Sequence, residues 1–205
     1  MKIFSGKSNL ALSKKIANLV GVPLGEIDLE TFSDGELRIA FKENIRGENV
    51  FLIQSTNPPA ENLMELFLML DAAKRASAKT VTAVIPYYGY ARQDRKDQPR
   101  VPISARMILD LMEVAGVDRT ITMALHCPQI QGFTNVPLDN LYSRITLFKK
   151  LQDYNLNINN GVVLAPDIGS AKMSQSYAKK LGIGFALIDK RRPKHNVAEV
   201  VNLIG

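Results

Sequence analysis

The run Thr80-Val81-Thr82-Ala83-Val84-Ile85-Pro86 is apolar and β-branched, and reads as a buried strand of the kind that parallel sheets contain. It runs straight into Tyr87-Tyr88-Gly89-Tyr90-Ala91-Arg92-Gln93-Asp94-Arg95-Lys96-Asp97. Aromatic, cationic and anionic groups therefore collect where a buried strand ends. In open parallel α/β sheets that is where ligands bind. Aromatic faces stack on a base and guanidinium forks clamp phosphate. Carboxylates hold ribose hydroxyls or a magnesium ion. The combination suits a nucleoside triphosphate; the plainer alternative is a solvated charged loop.

The remaining pattern alternates strand and helix. Strands are expected at Lys2–Ser5, Ile27–Phe32, Leu37–Phe41, Val50–Gln54, Arg119–Leu125, Gly161–Ala165 and Phe185–Ile188. A helix beginning after Ser8, with Ser8 as its cap, would bury Leu10, Leu12, Ile16, Leu19 and Val20. Glu61–Ser77 is a long helix, apolar nearly all round, either central to the core or set in a subunit interface. Further helices are expected at 104–115 and 170–181. This order predicts an α/β fold of doubly wound, mainly parallel sheets. A domain boundary is expected near residue 145, ahead of the polar, Asn-rich segment 152–161, giving domains 1–145 and 146–205.

Composition excludes several classes. The chain is 46% hydrophobic and 22% charged, ordinary for a globular protein, and no apolar run is long enough to span a bilayer. The N-terminus is too polar for a secretory signal, and Cys127 is the only cysteine, which fits a reducing cytoplasm. Cys127 itself reads as a small buried residue. The net charge of +6 gathers at 92–100 and 190–195 instead of forming a broad stripe. That favours a small polyanion over nucleic acid.

Four more constellations fall at expected strand ends. Phe32-Ser33-Asp34-Gly35-Glu36 is a hairpin turn that leaves Phe32, Asp34 and Glu36 free to meet a ligand. His126 is either a hydrogen-bonded structural residue or part of a site. Ala165-Pro166-Asp167-Ile168-Gly169-Ser170 sets a carboxylate before a helix N-terminus, where it meets magnesium or a sugar hydroxyl, or simply caps the helix. Asp189-Lys190-Arg191-Arg192-Pro193-Lys194-His195 is either a cation cluster for charge developing on a phosphoryl group or an exposed basic loop. No Gly-rich Lys-Ser/Thr phosphate loop and no dinucleotide fingerprint occurs.

In order and spacing, Phe-Ser-Asp-Gly-Glu, Tyr-Tyr-Gly-Tyr-Ala-Arg-Gln-Asp-Arg-Lys, Gln-Ile-Gln-Gly-Phe, Asp-Asn-Leu-Tyr, Ala-Pro-Asp-x-Gly and Asp-Lys-Arg-Arg-Pro resemble ribose-phosphate pyrophosphokinase over Phe4 to Gly205. The resemblance implies two related domains of phosphoribosyltransferase type, the second incomplete. It implies magnesium-dependent transfer of the β,γ-diphosphate of ATP to the anomeric hydroxyl of ribose 5-phosphate, in a cytoplasmic homo-oligomer. It implies that Arg92, Gln93 and Asp97 contact ATP, and that Phe32, Asp34 and Glu36 reach the ATP of a neighbouring subunit. His126 and Asp167 correspond to magnesium-linked positions, and Lys190 and Arg192 to the catalytic cations.

Three departures accompany it. Ala124-Leu125-His126 stands where the family has Asp-Leu-His, and Met173-Ser174 follow Lys172 where a basic residue is common. The acidic, Thr/Gly-rich turn that binds ribose 5-phosphate in the family is absent from the sequence. The expectation is therefore little turnover by these 205 residues alone. The alternatives are a non-catalytic homologue that joins a full-length partner and a simple nucleotide-binding module.

Overall fold

The computed structural model describes residues 1–154, 160–194 and 197–205, and all their side chains except those of residues 152 and 190–201. In chain order the elements are β1 (Lys2–Ser5), α1 (Leu10–Val20), β2 (Ile27–Thr31), β3 (Leu37–Phe41), β4 (Asn49–Ile53), α2 (Glu61–Arg75), β5 (Thr80–Ile85), α3 (Ser104–Val114), β6 (Arg119–Met123), β7 (Leu138–Leu141), α4 (Arg144–Gln152), β8 (Val162–Ala165), α5 (Ala171–Leu181), β9 (Gly184–Lys194) and β10 (Val197–Ile204). Short 3-10 turns occupy Pro128–Phe133 and Ile168–Ser170.

The chain forms two compact units, Met1–Tyr142 and Ser143–Gly205. In the first, β1-β4-β5-β6-β7 form one all-parallel sheet, and β2 and β3 pair as an antiparallel hairpin. In the second, β8 pairs parallel with β9, and β9 antiparallel with β10. The expected α/β fold of mainly parallel sheets is borne out. No helix among the described residues is long and apolar enough to cross a membrane.

The core of the first unit lies between the sheet and two helices. Val50, Leu52, Val81, Ala83 and Ile85 from the strands meet Leu66, Met69, Leu70 and Ala73 of α2 and Ile108, Leu109 and Met112 of α3. The α2 residues recur at i, i+3, i+4 and i+7, which makes one buried stripe. Leu63 and Phe67 widen it, and Met64 is left half exposed. Within the chain, α2 is a core helix.

Other expectations need correction. The cap of α1 is Asn9, whose Oδ1 accepts from Leu12 N at 3.1 Å, while Ser8 Oγ accepts from Ser55 N. Helix α1 buries Ser13 and Ala17, and leaves Leu10, Leu19 and Val20 exposed. Small residues let it approach β1 closely enough for Ser5 and Ser13 to share a 2.7 Å hydroxyl bond. The basic run 189–194 does not follow a strand end: β9 continues through it, paired with the apolar run of β10.

Candidate functional site

The aromatic loop is tied down on both sides. Beyond β4, Thr56 N donates to Tyr87 O at 2.9 Å, and Thr56 Oγ1 accepts from Gly89 N at 2.8 Å. The approach is so close that a Cβ on Gly89 would lie 2.1 Å from Thr56 O. Tyr88 turns inward: it is buried, and its hydroxyl donates to Ala105 O at 2.9 Å, pinning the loop to the start of α3. Burial pushes its phenol far above the ordinary tyrosine value, so it stays a neutral donor.

Next, Tyr90 adopts a left-handed backbone (φ 61°), which folds the chain back so that Gln93 N donates to Tyr90 O at 2.9 Å. Ala105 N donates to Gln93 O at 3.2 Å, and Ser104 Oγ donates to Gln93 Oε1. Strain of this kind persists where surrounding contacts over-determine it. Tyr87 and Tyr90 are left half exposed, beside Arg92 and Gln93.

These side chains line an open cleft of about 510 Å³, completed by Pro58 and by Met123, Ala124, Leu125 and His126 at the end of β6. Arg92 forms no ion pair with any described residue, so its guanidinium donors remain for a ligand. Two half-exposed rings, one unpaired guanidinium, an amide and an imidazole can receive a base and a chain of phosphates.

Asp94, next to Gln93, is half buried and outside this lining. The Cys127 thiol donates to its Oδ2 at 2.9 Å. That bond holds the Asp94 carboxyl below the usual carboxylate range, against the opposing effect of burial, with His126 and Arg95 adding to it. Burial, and then the carboxylate itself, push the Cys127 thiol up. Cys127 is thus only half buried where a buried residue was expected, and it has a polar partner that no local pattern announced.

No group of three or more His, Cys, Asp or Glu able to hold a metal occurs among the described residues. Ala124 brings no carboxylate to the cleft, and the carboxylate of Asp94 is engaged by Cys127. This lining alone does not make a magnesium site. Magnesium is a hard cation held through phosphate oxygens, waters and one or two carboxylates; the lining contains no carboxylate, and His126 brings a nitrogen donor.

Of the residues singled out from the sequence, the structure brings Arg92, Gln93 and His126 to one cleft, while Asp97 is exposed and outside its lining. Phe32, Asp34 and Glu36 are exposed on the β2–β3 turn, where Asp34 Oδ1 accepts from Glu36 N at 3.0 Å. Asp167 Oδ1 accepts from Ser170 N at 2.9 Å, the capping role weighed for it, in the second unit. The side chains of Lys190 and Arg192 lie outside those described, as does His195. Sequence reasoning missed Thr56, Tyr88 and Ser104 as anchors. Only Tyr88 carried a signal, since three neighbouring tyrosines on a turning loop cannot all face one side.

A family model, the N-terminal domain of ribose phosphate pyrophosphokinase, matches residues 1–116. Ribose-phosphate pyrophosphokinases of Chlorobaculum tepidum, Fusobacterium nucleatum and Thermotoga maritima are 54%, 49% and 50% identical over the whole chain. The chain spans 63%, 65% and 66% of their lengths. The crystal structure of phosphoribosylpyrophosphate synthetase from Mycobacterium smegmatis superposes with a TM-score of 0.89 at 36% identity, covering 98% of this chain and 66% of that one. With the family model matching more than half of its residues, the chain belongs to the ribose-phosphate pyrophosphokinase family.

Proposed function

We propose that the protein is a ribose-phosphate diphosphokinase. The anomeric hydroxyl oxygen of ribose 5-phosphate attacks the β-phosphorus of ATP, the bond from that phosphorus to the α-phosphate oxygen breaks, and AMP leaves. The hydroxyl proton is lost to solvent or a neighbouring base. The observation that carries the proposal is the cleft at the ends of β5 and β6, where two half-exposed tyrosines meet an unpaired Arg92.

Phosphoryl chemistry relies on positioning and electrostatics more than on a protein nucleophile. Tyr87 and Tyr90 offer ring faces to the adenine, and Arg92 and Gln93 hold the nucleotide from the cleft wall; for Asp97, outside that lining, only the family resemblance supports an ATP contact. By the family resemblance His126 would face a magnesium ion carried in on the phosphates, and that ion would neutralise phosphate charge. The family resemblance supports Asp167 on the ribose phosphate side and Lys190 and Arg192 as the catalytic cations. It also supports a cytoplasmic homo-oligomer in which Phe32, Asp34 and Glu36 complete a neighbour's ATP site. The two units correspond to the two phosphoribosyltransferase-type domains.

Calorimetry of Mg-ATP binding to wild type and Arg92→Ala tests the assignment, with AMP release dependent on ribose 5-phosphate as the second readout. Losing a charge-assisted phosphate contact costs about 2 kcal/mol, roughly thirtyfold in affinity. Equal affinity in the two proteins would remove Arg92 from the site. AMP release that ignores ribose 5-phosphate would refute the reaction.

A further inference from the structure

The cleft has two walls. One is the loop after β5, carrying Tyr87, Tyr90, Arg92 and Gln93; the other is the segment after β6, carrying Ala124, Leu125 and His126. Backbone bonds within the first wall run from Gln93 N to Tyr90 O and from Ala105 N to Gln93 O. In the second wall, Leu125 N donates to Asn140 Oδ1 at 3.2 Å, which ties that segment to β7. Among the described side-chain hydrogen bonds, a single one crosses from wall to wall: Cys127 Sγ to Asp94 Oδ2 at 2.9 Å.

Asp94 follows Gln93, and Cys127 follows His126, so the bond joins the residues next to two of the lining groups. Cys127 also packs against the core, while the Asp94 loop carries a run of exposed residues, 95–100. The anchored partner is therefore the thiol, and the held partner is the loop.

We propose that Asp94 and Cys127 are positioning residues, a clasp that sets the width of the nucleotide cleft. Neither need touch the nucleotide. The clasp fixes the spacing between Gln93 and His126, and removing it loosens the part of the loop around Gln93 and Asp94, while Tyr87, Tyr88 and Gly89 stay anchored. The inference rests on the nucleotide reading of the cleft, but the clasp itself has a signature that needs no nucleotide.

The test compares Cys127→Ala, Cys127→Ser and Asp94→Ala with wild type. Hydrogen exchange in the unliganded protein reads the clasp directly. The amides of Gln93 and Ala105 exchange about tenfold faster in Cys127→Ala and Asp94→Ala, as expected for loss of one hydrogen bond. Cys127→Ser, which keeps a donor, returns them towards wild type. In turnover, KM for ATP rises about tenfold in the Ala variants with kcat within about twofold, because the clasp acts on the cleft and not on the transferred group.

Unchanged exchange in folded Cys127→Ala, or a Ser variant as loose as the Ala variant, would overturn the clasp. Faster exchange with unchanged KM would overturn its role in setting the cleft. Failure of wild type to bind Mg-ATP would instead refute the function proposed above, and the exchange data would still decide whether the clasp exists.

Discussion

Gly89→Ala is the substitution that best tests how the cleft is built. The added Cβ would meet Thr56 O at 2.1 Å and Thr56 C at 3.0 Å, both backbone atoms that no rotamer change can move aside. Relief requires the loop after β5 and the end of β4 to part, and parting lengthens the Gly89 N to Thr56 Oγ1 bond of 2.8 Å. Overpacking of this kind costs about 1–3 kcal/mol. A buried amide left short of its partner adds about 1 kcal/mol. The sum is about 2–4 kcal/mol. With a urea slope of about 2 kcal/mol/M, the unfolding midpoint falls by about 1–2 M. Circular dichroism during urea unfolding measures it, and calorimetry should show weaker Mg-ATP binding because Tyr87, Tyr90 and Arg92 move with the loop. Gly132→Ala is the control: nothing lies within 4 Å of its added carbon and its φ is ordinary. That variant should unfold within about 1 kcal/mol of wild type. A Gly89→Ala protein with the wild-type midpoint would show that the close approach to Thr56 does not hold the loop.

Ala124 lines the cleft with φ 52°, a left-handed conformation that costs a Cβ-bearing residue about 1–2 kcal/mol. Ala124→Gly should therefore stabilise by about 0.5–1 kcal/mol after the entropy of the unfolded chain is counted, and a lower unfolding midpoint would contradict this. Glu113 accepts from Thr134 Oγ1 at 2.6 Å and from Asn135 N at 2.7 Å, and these bonds hold its carboxyl below the ordinary value. A depressed folded value means that the stability it lends is present above the unfolded value and is lost as pH falls through the folded one. Glu113→Gln should flatten the acid limb of the stability profile, and an unchanged limb would exclude the residue. Light scattering should find a homo-oligomer; a monomer at high protein concentration would refute the cross-subunit placement of Phe32, Asp34 and Glu36.

What the sequence disclosed and what it hid divide along a physical line. Buried strands and core helices were legible because their pattern is local. The run 80–85 is β-branched and apolar, and the buried residues of α2 recur at helical spacing. Strand β7, Leu138-Asp139-Asn140-Leu141, was missed because an edge strand with two polar residues at its centre has no such pattern, and only its partner β6 defines it. In α1 the bulky residues misled, since the close approach to β1 is set by Ser13 and Ala17.

The cleft divides in the same way. Arg92, Gln93 and His126 announced themselves because they are chemically unusual groups next to strand ends. The residues that hold them do not stand out by type. Thr56 acts from 33 positions before Gly89, Ser104 from 11 positions after Gln93, and Cys127 from 33 positions after Asp94. Each is an ordinary small residue whose role exists only once the fold brings it to its partner. For this fold, local chemistry identifies what lines the cleft, while the spacing of those groups depends on pairings that only the folded chain contains. The clasp of Asp94 and Cys127 is the clearest instance: Asp94 drew notice only as one carboxylate of a charged run and Cys127 as a small buried residue, and the bond that joins the two walls of the cleft is visible in neither.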